Sequence, residues 1–223
     1  MLSDVTVILP AHNEAVSIGK LIDDIRELNP AINIVVGDNN CTDGTADIAR
    51  RKACTVIEVT RQGKGHVVRE LLRQNKTGKI ILADADNTYP VARCILYVDM
   101  LLDNCDVVIG YRRWKSEDAM PTVNRLGNVA LSALASVLYL HRVTDLCSGL
   151  WGFKKSAVSK FNLTSGGFSL EADMFANAVK LGCKIEQIPI AYGAREKGDA
   201  SKLRVADGLR IGQFLLKKRF SRT

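Results

Sequence analysis

The sequence predicts an α/β protein whose mostly parallel β-sheet is flanked by helices, and three observations support this fold class. Short β-branched runs alternate with longer segments of helical periodicity. Residues 80–83 form a continuous apolar run, which is typical of a parallel strand buried on both faces. Carboxylates and amides follow the predicted strands at 5–9, 32–37 and 80–83. Because ligands of parallel sheets bind beyond the carboxyl ends of the strands, these ends predict a polar site.

The individual elements follow from local patterns. After the strand at 5–9, a helix is predicted at 15–28, because one helical face carries Ile18, Leu21, Ile22 and Ile25. Thr42 is the predicted N-cap of a short helix at 43–52. The remaining predicted strands are residues 55–59, 106–110 and 184–190, and the remaining helices are residues 65–75, 91–102, 123–140, 170–181 and one from about 203.

Length and charge restrict the function. The 223 residues fit a single domain with a sizeable core. Residues 193–223 hold nine basic and three acidic residues, so they carry nearly all of the formal net charge of +7. Because the rest of the chain is close to neutral, the charge argues against a general nucleic-acid coat, and no nucleic-acid partner is predicted.

Cysteines and apolar runs predict the compartment. The six cysteines contain no C-x-x-C pair and lie mostly among apolar residues, which favours reduced thiols in a cytoplasm. Met1 leads directly into a strand-like run, so no signal peptide is expected. The longest mostly apolar stretch, residues 126–140, is shorter than the roughly 20 residues of a membrane-spanning helix.

The pair Asp84 and Asp86, separated by Ala85, is the first candidate site. Two aspartates flanking a small residue at a strand end can present carboxylates to one hard cation, and Mg²⁺ or Mn²⁺ is typically held by one or two carboxylates plus substrate phosphates. The alternative is a solvated turn, which is less natural after a strand that is buried on both faces.

Other polar segments have structural alternatives. Asp38 can accept hydrogen bonds from a base or ribose, whereas Thr42 and Asp43 can serve helix capping. Glu14 can contact a ligand or act as a first-turn helix charge. The segment 63–65, Gly-Lys-Gly, resembles half a phosphate loop, but the full pattern of a P-loop NTPase is absent.

Six motifs occur in a fixed order along the chain: residues 10–14; Asp38 with residues 42–45; residues 63–65; residues 84–86; Asp145 with Ser148 and Gly149; and Arg195 with Gly198, Ser201 and Lys202. In this order they resemble the family 2 glycosyltransferases. The sequence is most similar to their dolichol-phosphate mannose synthase and polyprenyl-phosphate glycosyltransferase branch. The resemblance spans about residues 5–215 and implies a GT-A fold over residues 1–202.

The resemblance also implies an activity, namely the inverting transfer of a hexose from a nucleotide sugar to a polyprenyl (dolichyl) monophosphate. The donors it allows are GDP-mannose, UDP-glucose and UDP-N-acetylglucosamine. Asp84 and Asp86 would bind Mg²⁺ or Mn²⁺, and Asp86, Arg195 and Lys202 would be catalytic, the last two by holding the diphosphate. The residues implied to bind the nucleotide are Pro10, Ala11, Asn13, Glu14, Asp38, Asn39, Gly63, Lys64, Asp84 and Ala85.

The acceptor side departs from the family pattern. Arg125, Ser148 and Glu171 are implied to face the acceptor, but the arginine that often precedes the aspartate of the D-x-x-S-G segment is replaced by Thr144. A lipid phosphate is already anionic at neutral pH, since the second pKa of a phosphate monoester is about 6, so no general base is required. Glu171 is then expected to orient the acceptor or a basic side chain, or to stabilise a helix N-terminus.

Two other functions are open at this stage. A family 2 transferase with a hydroxyl acceptor would need Glu171 or Asp173 as its base. A catalytically silent module would bind only nucleotides or nucleic acid at a membrane, which the motifs Asp84, Asp86 and Arg195 disfavour.

The last predicted helix, residues 203–223, is basic and amphipathic. Its predicted apolar side holds Leu203, Ala206, Leu209, Gln213, Leu216 and Phe220, broadened by Val205, Ile211, Phe214 and Leu215. Such a helix suits the surface of an anionic bilayer, and the alternative is a terminal helix packed on the core. We therefore expect a cytoplasmic, peripheral membrane protein; the family also allows a membrane-bound partner subunit, and a homo-oligomer is possible.

Overall fold

Seven strands and eight helices lie along the residues that the computed structural model describes, which are 2, 4–115, 120–193 and 205–221, and they alternate except that α6 and α7 are consecutive. The strands are β1 (Val5–Ala11), β2 (Asn33–Asp38), β3 (Thr55–Glu58), β4 (Lys79–Leu82), β5 (Val107–Lys115), β6 (Trp151–Lys154) and β7 (Ile185–Tyr192). The helices are α1 (Ile18–Leu28), α2 (Thr45–Arg51), α3 (Lys64–Gln74), α4 (Val91–Leu101), α5 (Thr122–Tyr139), α6 (Lys155–Val158), α7 (Leu170–Lys180) and α8 (Val205–Phe220).

The strands form one sheet in the order β3-β2-β1-β4-β6-β5-β7. Within the described residues, β6 pairs antiparallel with β4 and β5, and every other neighbouring pair is parallel. The predicted fold class, a mostly parallel sheet flanked by helices, is therefore confirmed. Strands β2 and β3 lie on one side of β1, and β4 lies on the other, so the direction of chain progression reverses between β1 and β4.

Helices cover both faces of this sheet, and alternate strand residues point to opposite sides. In β1, Val7 and Leu9 belong to the core beneath α1 and α4, whereas Ile8 packs with α3, α5 and α7. In β4, Ile81 faces the first core, and its neighbours Ile80 and Leu82 face the second. Burial on both sides explains why these strands read as continuous apolar runs.

The short strand β6 and helix α6 were not predicted from the sequence. Four residues give too little alternation to mark a strand, and β6 contains Gly152. A Cβ at position 152 would overlap the Val98 side chain of α4, so this glycine permits close packing of α4 on the sheet.

Two predicted helix starts are wrong. Helix α1 begins at Ile18 rather than at 15, because the Glu14 carbonyl accepts hydrogen bonds from the N–H groups of both Ser17 and Ile18 in a preceding turn. Helix α2 begins after Gly44, whose φ of 89° is left-handed, so Thr42 is not its N-cap.

The predicted C-terminal helix is present as α8, and it packs on α5 and α7. Its buried side chains include Ile211 and Leu215, and the Tyr139 hydroxyl donates a hydrogen bond to the Leu215 carbonyl (3.1 Å). The other described members of the predicted apolar side are exposed or half-buried, and the exposed ones are Ala206, Leu209, Gln213, Leu216 and Phe220. The predicted apolar side is therefore divided into a part that docks on the core and a part that is exposed. Among the described residues, no helix is long and apolar enough to span a bilayer.

Candidate functional site

The polar strand ends predicted from the sequence meet at one edge of the sheet. The register pairs Ala11 of β1 with Asp38 of β2, and β4 runs parallel to β1 on its other side. Residues 10–14, 38–44 and 84–86 therefore extend from three adjacent strands. They flank the point where the strand order reverses, which is where ligands bind in open α/β sheets.

The loops after β1 and β2 are joined by hydrogen bonds. Asn13, with a left-handed φ of 56°, accepts from the N–H of Thr42 through its side-chain oxygen (2.8 Å). The Glu14 N–H donates to the Thr45 hydroxyl (2.8 Å), and the Ala15 N–H donates to Asp43 Oδ2 (2.9 Å). Asp43 and Thr45 thus hold the two loops together, a structural role that differs from the helix capping predicted for Thr42 and Asp43.

Asn39 has a structural role that differs from its predicted contact with the nucleotide. Its side-chain NH₂ donates to the carbonyls of Val59 (2.9 Å) and Arg61 (3.0 Å). Its side-chain oxygen accepts from the N–H of Gly63 (2.7 Å) and from Gln62 (3.2 Å). Because both donors and both acceptor positions of the amide are used, Asn39 fixes the loop that leads into α3.

The nearby residues Pro10 and Asp38 are half-buried at the strand ends. Asp38 Oδ1 accepts from the Cys41 N–H (2.9 Å). Ala85 is buried, and its carbonyl accepts from the Ser17 hydroxyl (2.8 Å), which ties the loop after β4 to α1.

The Gly-Lys-Gly segment packs against the loop before α7. A Cβ at Gly63 would overlap the Gly166 carbonyl, and one at Gly65 would overlap the Ser165 carbonyl. The Gly65 N–H also donates to the Gly166 carbonyl (3.1 Å). The two glycines therefore allow the start of α3 to approach this loop, and they place Lys64 beside the start of α7.

Lys64 joins two carboxylates from distant parts of the chain. Its Nζ lies 2.6 Å from Asp84 Oδ1 and 2.6 Å from Glu171 Oε1. Burial alone would lower the pKa of Lys64, but attraction to Asp84 and Glu171 outweighs it and raises that pKa, so the ammonium stays charged. Glu171 thus pairs with a basic side chain, which is one of the three roles expected for it. The partner itself could not be predicted, since the two residues are 107 positions apart.

Asp84 is packed on two further sides. Its N–H donates to the Tyr89 hydroxyl oxygen (2.6 Å), and a Cβ at Gly149 would overlap Asp84 Oδ2. Burial, followed by the charges of Asp84 and Asp86, raises the pKa of Tyr89 well above its ordinary value, so its hydroxyl stays neutral. Tyr89 was missed from the sequence, although it lies only five residues after Asp84.

Asp86 is buried in a tight turn. Its Oδ1 accepts from the Thr88 hydroxyl (2.7 Å) and from the Thr88 N–H (3.2 Å). Asn87 between them has a left-handed φ of 53°. Asp84 and Asp86 offer hard oxygen donors from one short loop, which suits Mg²⁺ or Mn²⁺ completed by phosphate oxygens. No cluster of three or more His, Cys, Asp or Glu in the described residues could hold a metal by itself.

A buried ion pair supports the loop that carries Gly149. Asp145 accepts from Arg112 Nε and Nη2, both at 2.6 Å, and from Asn128 Nδ2 at 2.8 Å. Burial alone would raise the pKa of Asp145, but the bonds and charge of Arg112 lower it. Arg112 and Asn128 were not singled out from the sequence, because nothing local marks them as partners of a loop more than fifteen residues away.

The predicted acceptor residues Ser148 and Arg125 differ in their exposure. Ser148 is fully buried, and its hydroxyl accepts from the Leu150 N–H (3.3 Å). Arg125 is exposed on α5. Their contact with an acceptor stays a prediction. Arg195 and Lys202, predicted to hold the diphosphate, lie outside the described residues.

Asp173, the other candidate base, is fully buried and bonded on both oxygens. Its Oδ2 accepts from the Ser165 N–H (2.8 Å), and its Oδ1 lies 2.9 Å from Lys218 Nζ and accepts from Asn177 (2.9 Å). This position makes Asp173 a structural link between α7 and α8 and removes it as a base.

Comparison with known proteins adds three findings. Residues 6–161 match the family model described as glycosyl transferase family 2. The chain is 31% identical over 215 residues to a dolichyl-phosphate hexose transferase of Haloferax volcanii, covering 96% of this chain and 93% of that one. It is 30% identical over 220 residues to the glycosyltransferase AglJ of the same organism, covering 98% and 71%.

A solved structure shares the fold. Glucosyl-3-phosphoglycerate synthase from Mycobacterium tuberculosis, in complex with Mn²⁺, UDP-glucose and phosphoglyceric acid, matches with a TM-score of 0.74 at 21% identity. The match covers 98% of this chain and 80% of that one. At this identity the likeness bears on the fold alone.

Proposed function

Because the chain belongs to the family 2 glycosyltransferases, we propose that it transfers a hexose, with inversion, from a nucleotide sugar to a polyprenyl monophosphate such as dolichyl phosphate. The family and its GT-A fold were both predicted from the sequence and are confirmed. The observation that carries the proposal is the edge of the sheet where Asp84 and Asp86 lie beside the loops after β1 and β2. The relative named as a dolichyl-phosphate hexose transferase supports this acceptor class.

The proposed donor is GDP-mannose, UDP-glucose or UDP-N-acetylglucosamine. Support comes from the structural neighbour, whose complex contains UDP-glucose. The proposed contacts to the nucleoside are Pro10, Glu14 and Asp38, which extend from β1 and β2. Asn39 acts in this proposal by positioning the loop at residues 59–63 rather than by touching the base.

The proposed cofactor is Mg²⁺ or Mn²⁺ at Asp84 and Asp86, and the neighbour's complex contains Mn²⁺. When bound, the cation offsets the negative charge that grows on the departing diphosphate. Arg195 and Lys202 are proposed to hold the same diphosphate. Gly149 and Tyr89 keep Asp84 in place, because one leaves room for its carboxylate and the other accepts its N–H.

The state of the two candidate bases supports a phosphate acceptor. Asp173 is buried, and both of its carboxylate oxygens already accept hydrogen bonds, while Glu171 is paired with Lys64. A phosphate monoester is already anionic near pH 7 and attacks without losing a proton to the enzyme. The second candidate function is transfer to a hydroxyl acceptor, which the name of the structural neighbour favours, and it would require Glu171 to act as base.

The proposed location is the cytoplasmic face of an anionic membrane. We define the α5–α8 face as the exposed apolar side chains Val123, Leu126, Val129 and Val137 of α5, Leu140 directly after α5, and Leu209, Leu216 and Phe220 of α8. The exposed charges that the structure describes on these helices are all basic: Arg125, Arg210, Lys217 and Arg219. An apolar face with only basic charges is suited to an anionic bilayer. A membrane-bound partner subunit or a second copy of the chain is the alternative occupant.

The experiment that tests the function incubates the protein with each nucleotide sugar, Mn²⁺ or Mg²⁺, and dolichyl phosphate, and detects the glycolipid by mass spectrometry. We expect one donor to yield a monohexosyl lipid. Asp86→Ala should nearly abolish transfer with an unchanged circular dichroism spectrum, whereas Asp47→Ala on α2 should not. Transfer to 3-phosphoglycerate but not to the lipid would contradict the proposed lipid acceptor. Turnover at the wild-type rate in excess EDTA would contradict the proposed requirement for a cation.

A further inference from the structure

The ammonium of Lys64 is paired with Asp84, one of the two carboxylates that are proposed to bind the cation. Its Nζ is equidistant, at 2.6 Å, from Asp84 Oδ1 and Glu171 Oε1, and its side chain is only 21% exposed. Asp84 comes from the end of β4, and Glu171 comes from the first turn of α7. The ammonium thus joins two carboxylates that no sequence motif connects.

The backbone at Lys64 is fixed, whereas its side chain can turn. Gly63 and Gly65 are packed against the carbonyls of Gly166 and Ser165, so the start of α3 cannot move away from this loop without losing that contact. The lysine side chain has four flexible carbons, and its ammonium is a compact charge that can exchange one carboxylate for another. Glu171, with its side chain 11% exposed, offers a second partner at the same distance.

A divalent cation and the ammonium compete for Asp84. Both are positively charged and both bind the same carboxylate, so the presence of one weakens the binding of the other to Asp84. A cation arriving alone would add two positive charges beside the ammonium. A cation arriving with a nucleoside diphosphate brings the negative phosphates that compensate for both.

We propose that Lys64 is a positioning residue that holds Asp84 in the donor-free protein, and that the donor diphosphate with its cation moves the ammonium from Asp84 to Glu171. This inference rests on the proposed cation at Asp84 and Asp86, and it adds that cation and nucleotide bind together rather than independently. Glu171 serves in it as the retaining partner of the displaced ammonium.

The test measures Mn²⁺ affinity by the electron paramagnetic resonance signal of free Mn²⁺, with and without UDP or GDP. Wild type should bind Mn²⁺ weakly alone and more tightly with the nucleotide. Lys64→Met should bind Mn²⁺ alone about tenfold more tightly than wild type, a typical coupling between two sites. Glu171→Gln should have the opposite effect and weaken Mn²⁺ binding in the presence of nucleotide, because the ammonium then retains Asp84 as its remaining carboxylate.

Lys79 provides the matched control. Its Nζ also lies 2.6 Å from two carboxylates, those of Asp99 and Asp103, and its side chain is 19% exposed. This bridge begins at the amino end of β4, away from the site, so Lys79→Met should leave Mn²⁺ affinity unchanged. The gain in Lys64→Met should also vanish when Asp84→Asn is added.

The outcomes separate this inference from the proposed function. Unchanged Mn²⁺ affinity in Lys64→Met, with glycolipid synthesis intact in wild type, overturns the inference alone. A similar gain in Lys79→Met also overturns it, because the effect would then be one of net charge. If no donor yields glycolipid, the proposed function is overturned, whatever the measured Mn²⁺ affinities are. Thermal melts identify a variant that fails to fold, and Glu171→Gln then supplies the decisive measurement.

Discussion

Gly149 lies directly against the carboxylate of Asp84. A Cβ at position 149 would overlap Asp84 Oδ2 and would come within 2.6 Å of the Tyr89 hydroxyl oxygen. The D-x-x-S-G segment and the D-x-D pair, which are separate motifs in the sequence, are therefore in contact. The glycine is required by this close approach, since its φ does not lie in the left-handed region.

Gly149→Ala should displace the Asp84 carboxylate and impair transfer. A shift of about 1 Å in a catalytic group can cost about 100-fold in rate, so we expect a fall in kcat/KM of that order. The measurement is steady-state transfer at varied donor concentration, accompanied by a thermal melt. Gly208→Ala in α8 is the control, because nothing lies within 4 Å of its Cβ. Wild-type kcat/KM in Gly149→Ala would mean that the position of Asp84 is not critical.

Arg112→Met should destabilise the fold. The Arg112–Asp145 pair is buried, with 9% and 3% side-chain exposure, and removal of one partner leaves an uncompensated charge. Breaking such a pair costs about 3–5 kcal/mol of unfolding free energy. Urea denaturation measures the loss. Arg50→Met is the matched control, because its pairs with Asp47 and Glu58 are exposed and should contribute only about 0–1 kcal/mol.

The cost of Arg112→Met should depend on pH. In wild type the pKa of Asp145 is lowered, so its ionisation stabilises the fold above its ordinary pKa, and this contribution is lost as pH falls through the lowered value. Without Arg112, burial raises that pKa, and the buried charge is destabilising only above the ordinary pKa of about 3.9. The difference between wild type and variant should therefore shrink from pH 7 towards pH 4. A constant difference would mean that lost packing, not charge, is the cause.

The strand ends were predictable from the sequence because their signal is local. Asp84 and Asp86 follow an apolar run, and Asp38 follows another, so the parallel arrangement alone places them at one edge. Asn39 also follows an apolar strand, yet its side-chain amide forms hydrogen bonds to the backbone of the loop at residues 59–63. A sequence does not distinguish an amide that binds a ligand from one that binds its own backbone.

Long-range partners were not predictable. Lys64 and Glu171 meet only because two glycines allow α3 to approach the loop before α7. The C-terminal helix shows a different limit: helical periodicity predicted one broad apolar side on α8, but only part of it, including Ile211 and Leu215, packs on the core, and Leu209 and Phe220 are exposed. Periodicity identifies an apolar side without identifying what covers it.

Glu171→Gln distinguishes the two acceptor classes. If a lipid phosphate attacks, kcat at saturating donor and cation should stay on the order of the wild-type value, whereas loss of a general base costs about 10²–10⁴-fold. Saturation is needed because Glu171 also holds Lys64, so that donor affinity can change. Initial rates with dolichyl phosphate provide the measurement, with Glu70→Gln on α3 as control. A steep loss of kcat would favour a hydroxyl acceptor.

The α5–α8 face should bind anionic vesicles. Leu126→Glu with Val137→Glu places two charges at positions that are 61% and 73% exposed, so the fold should tolerate them. Burying one aliphatic side chain is worth about 1.5–3 kcal/mol, and the double variant should therefore lose at least about tenfold in vesicle affinity. Flotation with phosphatidylserine vesicles measures the binding.

The control for this face lies on α4. Tyr97 and Met100 are comparably exposed, at 66% and 67%, and Tyr97→Glu with Met100→Glu adds the same charge elsewhere. Substitution is preferable to deletion of α8, because deletion would remove the buried Leu215 from the core and leave Asp173 without Lys218. If both double variants lose binding equally, net charge rather than this face attracts the vesicle. If neither loses binding while both fold, the lipid is not the occupant, and sedimentation of the wild type then tests a second copy of the chain.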